Sequence, residues 1–348
     1  MKPYILIALL NCAILLSCNA PDSAASLEAS ITSEAKETKK QSVVFIAGFD
    51  GSEDGNNYYA KAAAHFKSKK MKVVEDRYSL EEIMTWLVEN KIEASYSNIH
   101  IVSHSNAWRG MSLPITPNGD RISQKSLTQT LAENGLPVLD HRITSETNLI
   151  FHSCGLGKNE SLLRLFKAAF SSEVSPRVYA SPHFNVFGSK FASHYLAKAY
   201  YVYYPTAQSK GPRALAEAIE KTYPETNIDW FTALKSRTET KLGAPYSYRF
   251  NIPVDWDISF EDAGAMPNLV DRDAIMDWVV EQENISTALF ELGIPIEQFR
   301  WTAISHDRGL QIKAKTTIVC VLVAVTNKSD ASEYATATID DASLYTCL

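Results

Sequence analysis

Two short apolar runs in this chain each end in a residue able to do chemistry. One is Asn98-Ile-His-Ile-Val-Ser-His104-Ser105, and the other is Asn148-Leu-Ile-Phe-His-Ser-Cys154-Gly155. Runs of this length bounded by Ser, Gly and Asn read as buried strands of an α/β sheet. Such sheets carry their chemistry just beyond the carboxyl ends of the strands, where His104 and Cys154 stand. A thiol becomes a strong nucleophile when a nearby imidazole takes its proton, so two such strands side by side would assemble a Cys-His dyad. The plainer alternative is a small buried Cys and a hydrogen-bonded His with no chemistry between them. His152, two positions before Cys154, shares its strand face and reads first as a packing residue.

The elements around the pair support a sheet. Val43 to Ala47, Lys72 to Val74, Ile99 to Val102, Leu149 to His152 and Arg177 to Ala180 read as strands. Helical patterns run over Tyr58 to Ser68, Leu80 to Asn90, Ser126 to Glu133 and Glu160 to Phe170. Strands and helices alternating at this interval predict a doubly wound, largely parallel α/β core. Between His104 and Cys154, residues Gly110 to Ile122 carry an Asn-Gly turn signal between short apolar runs and read as a hairpin.

Cys154 follows His104 by 50 residues, and that order and interval, with the intervening hairpin, resemble the caspase-like cysteine peptidase fold shared by caspases, gingipains, clostripain and legumain. The resemblance covers residues 43–210. It implies that Cys154 is the nucleophile, that His104 is its proton-transfer partner, and that backbone N–H groups of Ser105 and Cys154 form the oxyanion hole. It also implies a substrate pocket near Ser181 and His183, a protein or peptide substrate, and no cofactor. Ser105 stands where the family has Gly, and Ser153 where it has Ala or Asp. A non-catalytic binding protein on the same fold is a competing reading. A third is an α/β-hydrolase esterase with Ser105 as nucleophile, although Ser103 and Ala107 replace the glycines of the Gly-x-Ser-x-Gly elbow.

Other motifs decide less. Asp50 to Lys61 begins like a calcium-binding loop but has Lys61 where a bidentate Glu is needed, so it reads as a solvated loop. No metal site, phosphate loop or Cys-x-x-Cys pair is apparent.

At the amino terminus, Met1-Lys2 and the apolar run Tyr4 to Leu16 are too short to span a bilayer and read as a leader. The ending Leu15-Leu16-Ser17-Cys18 resembles a bacterial lipoprotein box. That resemblance implies a signal peptide over 1–17, lipid on Cys18, and a chain held on a membrane of the cell envelope. Residues 18–42, rich in Ala, Ser, Glu, Lys and Thr, read as a flexible tether. Of five cysteines, Cys12 and Cys18 are then accounted for; Cys320 and Cys347 lie in strand-like regions and are expected to pair, leaving Cys154 as the odd thiol. The net charge of −6, with dispersed Lys and Arg, gives no stripe for nucleic acid.

Beyond residue 211 the pattern changes to an α+β region of unassigned role over 211–348. It has helices near Pro212 to Lys221, Trp230 to Lys241 and Arg272 to Glu283, a strand at Tyr246 to Phe260, and antiparallel strands over Gln311 to Leu348.

Overall fold

A computed structural model describes residues 41–51, 57–90, 95–106, 108–205, 211–330 and 332–348. The expected leader, Cys18 and the tether up to residue 40 lie outside the described residues. No helix among the described residues is long and apolar enough to cross a membrane.

The chain opens with β1 (Gln41–Ile46), α1 (Tyr58–Ser68), β2 (Lys72–Val74), α2 (Leu80–Glu89) and β3 (Tyr96–Val102). A small hairpin, β4 (Ser105–Asn106) and β5 (Gly110–Met111), leads to α3 (Gln124–Ala132) and β6 (Asn148–His152). Next come α4 (Glu160–Ala169), β7 (Arg177–Ala180), β8 (Phe184–Phe187) and β9 (His194–Pro205). The remainder is α5 (Gly211–Thr222), α6 (Trp230–Lys235), β10 (Tyr246–Ser259), α7 (Arg272–Glu281), α8 (Glu283–Leu292), β11 (Arg300–His306), β12 (Gly309–Ala324) and β13 (Thr346–Cys347). Two residues expected in the tether, Gln41 and Ser42, belong to β1 and pair with β3.

The first sheet runs β2-β1-β3-β6-β7-β13, parallel throughout except for its last strand. Alternation along the strands sorts side chains between two cores. Val43, Phe45, Ile99, Ile101, Leu149 and Phe151 face α2, α3 and α4, meeting Ile83, Leu127 and Phe166. Val44, Ile46 and Val102 face α1, meeting Ala62 and Phe66. Each such fully buried large side chain contributes about 1.5–3 kcal/mol. The helices start where polar caps satisfy free N–H groups: Ser79 caps α2 and Asn159 caps α4.

The second sheet is antiparallel, ordered β10-β12-β9-β8, with β11 also on β12. Strand pairing runs across position 210 in both directions. β9 joins β12 in the second sheet, while β13 returns to the edge of the first. The helix expected over Trp230 to Lys241 stops at Lys235, where Ser236 turns extended and its carbonyl accepts the N–H of Ser247.

The expected disulfide is absent: Cys154, Cys320 and Cys347 are all free thiols. Cys320 is fully buried in the middle of β12, whereas Cys347 is exposed on β13 in the other sheet. Within the stretch expected to be antiparallel strands, the run from Tyr334 to Ile339 makes a single bridge from Tyr334 to Thr326 and then turns, so it does not carry Cys347 toward β12. Iodoacetamide should therefore alkylate Cys347 readily in the native chain, and Cys320 only once the chain is denatured, with no reductant needed. Mass mapping that found Cys320 and Cys347 protected until reductant was added would restore the pairing.

Candidate functional site

The site is set by how β3 and β6 pair. Asn98 lies against Asn148, Ile99 against Leu149, and so on to Val102 against His152, a constant offset. His104 and Cys154 each follow by two residues the last pair of that ladder, so they leave the two adjacent strands at matching positions. Beyond the ladder, the Ser105 hydroxyl donates to the Cys154 carbonyl at 2.8 Å, tying the two strand ends together. His104, Ser105 and Cys154 all line one cavity of about 920 Å³.

Tyrosines from α1 hold His104. Its ring stacks on Tyr58 at 4.4 Å between centroids and meets Tyr59 edge-on at 4.8 Å. Its N–H donates to the Tyr59 hydroxyl at 3.0 Å, and its carbonyl accepts from Ser112. The Tyr58 hydroxyl in turn donates to the His152 carbonyl at 2.8 Å. Both phenols are pushed up, first by burial. Gly48 leaves room for this arrangement, since a Cβ there would stand 2.2 Å from the Tyr59 ring. Asp50 anchors the start of α1, its two carboxylate oxygens accepting the N–H groups of Tyr59 and Ala60. The rest of its loop, 52–56, lies outside the described residues.

Cys154 is buried against Phe184, Tyr195, Cys320 and Leu322. Its thiol lies 3.9 Å from the Asn185 carbonyl, and burial pushes it up to about 12. At neutral pH it is a protonated thiol. Gly155 follows with φ of +71°, a left-handed turn that glycine adopts without strain. Its N–H donates to the His183 carbonyl, and the Gly157 N–H donates to the Ser181 carbonyl. Ser181 and His183 thus brace the loop after Cys154, and neither lines the cavity. Ser181 is fully buried and its hydroxyl accepts the His183 N–H.

A hairpin follows Ser105 where a nucleophile elbow would require a helix. That hairpin continues as expected through Leu113 to Ile122, with Pro114 bridged to Arg121.

The opposite wall of the cavity comes from the region of unassigned role. Strand β10 contributes Ser247, Arg249 and Asn251, and the turn after α6 contributes Arg237 and Glu239. Glu239 is buried, accepting from Tyr334 at 2.7 Å, from Tyr195 at 3.3 Å and from the Gly243 N–H. Nothing in local sequence pattern marks these residues, because the second sheet brings them to the site from far along the chain.

Under α1 lies a second cluster. His100 and His152 share a ring-nitrogen hydrogen bond at 2.9 Å, and the His194 ring lies 5.2 Å from that of His65 and 5.8 Å from that of His152. Phe66 and Phe187 pack against them. His65 also bonds to Ser193, and His194 to Asn185. Among the described residues no group of three or more His, Cys, Asp or Glu side chains is arranged to hold a metal ion. Burial lowers His65 and His100 to about 4 and His194 to about 3, with Lys69 adding to each, and lowers His152 well below its ordinary value, with His100 and His194 adding.

Comparison with protein families, with curated proteins and with solved structures finds no match to this chain.

The histidine cluster makes the fold acid-labile. Folded, these imidazoles stay neutral; unfolded, they bind protons below about 6.5, so stability declines as pH falls from about 6.5 through the folded values near 4. Denaturant midpoints should drop across that window, and His65→Leu should flatten the drop. A midpoint independent of pH there would contradict neutral burial of the cluster.

Proposed function

We propose that this chain is a cysteine hydrolase that cleaves peptide bonds, with Cys154 as nucleophile and His104 as its proton-transfer partner. The observation that carries this reading is the β3–β6 register, whose two strands end two residues before His104 and Cys154, with both residues lining one cavity. The parallel order β2-β1-β3-β6, with a hairpin after the His strand, is what a caspase-like core calls for.

Because burial keeps the Cys154 thiol protonated, His104 acts as a general base during attack rather than as half of a resting ion pair. The thiol proton passes to the imidazole as Sγ bonds to the substrate carbonyl carbon. Negative charge develops on the carbonyl oxygen beside the N–H groups of Ser105 and Cys154. The imidazolium then protonates the departing amine as the C–N bond breaks, and water hydrolyses the thioester. Ser105 is a poorer nucleophile here, since its hydroxyl proton is given to the Cys154 carbonyl. The lipid anchor at Cys18 would place this activity at a membrane of the cell envelope.

A non-catalytic binding domain is the second reading, favoured by the raised thiol. Release of peptides from casein by the full chain distinguishes the two. Cys154→Ala and His104→Ala should each lower it by at least about 10²-fold, while the exposed Cys347→Ser leaves it intact. Casein left uncut by the wild-type chain, or cut equally well after Cys154→Ala, would overturn the peptidase reading.

A further inference from the structure

We propose that the cavity takes an acidic peptide in extended form, laid along the outer edge of β10 with its carboxylates facing a ring of cations. This deepens the reading of the cavity as a peptide site and rests on it. Five cations reach the cavity from five separate parts of the fold: Lys61 from α1, Arg121 from the hairpin, Lys190 from the β8–β9 turn, Arg237 from the turn after α6, and Arg249 from β10. Glu239 is the one carboxylate among the described residues lining it, and both its oxygens are already engaged by Tyr334, Tyr195 and Gly243. This positive wall stands on a chain whose net charge is −6.

None of the five cations takes part in an ion pair among the described residues. Two are held in place by neutral acceptors: Arg121 donates to the Met111 carbonyl and the Ser112 hydroxyl, and Arg237 to the Ser247 hydroxyl. Guanidinium groups fixed in this way keep further N–H donors for a carboxylate. A cleft lined by one sign of charge within low-dielectric walls concentrates ligands of the opposite sign.

The backbone argues for a peptide. β10 is the edge of its sheet, and the segment from Ser247 to Asn251 lines the cavity. The Ser247 N–H turns away from β12 to the Ser236 carbonyl, so ladder alternation puts the main-chain groups of Arg249 and Asn251 on that same outer side. Pro253, next in the series, lacks the N–H that an inner position would need. An extended peptide can add to such an edge through main-chain hydrogen bonds while side-chain charge sets the preference.

The test uses the full chain carrying Cys154→Ala, so that binding is read without cleavage, and a fluorescein-labelled octapeptide of alternating Glu and Ala. Anisotropy should show it binding at least about tenfold more tightly than its Gln-for-Glu version, with the Lys-for-Glu version not binding. Its affinity should weaken several-fold as NaCl rises from about 0.05 M to about 0.5 M. Lys190→Gln with Arg249→Gln, both exposed side chains whose loss should leave the far-UV circular dichroism unchanged, should remove most of the preference. Equal binding of the Glu and Gln peptides, preference for the Lys peptide, or tighter binding of an oligothymidylate would overturn the proposal. Acidic-peptide binding without cleavage by the wild-type chain would uphold this site and remove the peptidase; equal cleavage of the Glu and Gln peptides would do the reverse.

Discussion

The parallel ladder between β3 and β6 is the constraint on which the rest of the structure depends. Side chains alternate between the two faces of a sheet, so a slip of one residue would send Ile99 and Ile101, or Leu149 and Phe151, out of the core beneath α2 and α4. The same slip would part His104 from Cys154. Hydrophobic burial therefore sets the register, and the register sets the site. The Ser105 hydroxyl bond to the Cys154 carbonyl adds about 1 kcal/mol to this arrangement and fixes the strand ends where the ladder has stopped.

Burial at Cys154 acts in two directions. The wall of Phe184, Tyr195 and Leu322 keeps the thiol protonated, while the enclosure it creates strengthens any hydrogen bond or charge formed within the cavity. Tyr58 and Tyr59 apply the same logic to His104. They confine its ring by stacking and by a main-chain hydrogen bond, so its orientation depends on α1 staying in place. Beneath that helix, four neutral histidines occupy positions where apolar residues would be indifferent to pH.

Much of the first sheet was legible in the sequence because its strands are buried on both faces and read as continuous apolar runs. β2 and β7 appear where the pattern puts them, and α1 spans Tyr58 to Ser68 as its periodicity predicts. The hairpin after His104 was legible from its Asn-Gly turn. β8 and β9 were not, since their long aromatic run, from Phe184 to Pro205, alternates too weakly to declare a face. α8 begins at Glu283, where α7 was expected to end, and no Gly or Pro marks the break. The mispaired cysteines have a related cause: local strand propensity says nothing about which sheet a strand joins. For the site, His104 and Cys154 could be named from their places at strand ends. The tyrosines and the cations could not, because only tertiary packing brings them to one cavity.

The last strand of the first sheet has a consequence for how the chain is made. β13 pairs with β7, and the Thr346 hydroxyl donates to the Gly157 carbonyl 189 residues earlier, in the loop that follows Cys154. All of the second sheet lies between them. A ribosome releasing this chain has already emitted every parallel strand of the first sheet long before the strand that closes its edge exists. Until then β7 offers an open edge to any other nascent chain. Closure is a late, long-range event of the kind that makes folding slow, and the loop carrying Cys154 is braced from that side only after the whole of the second sheet has been made.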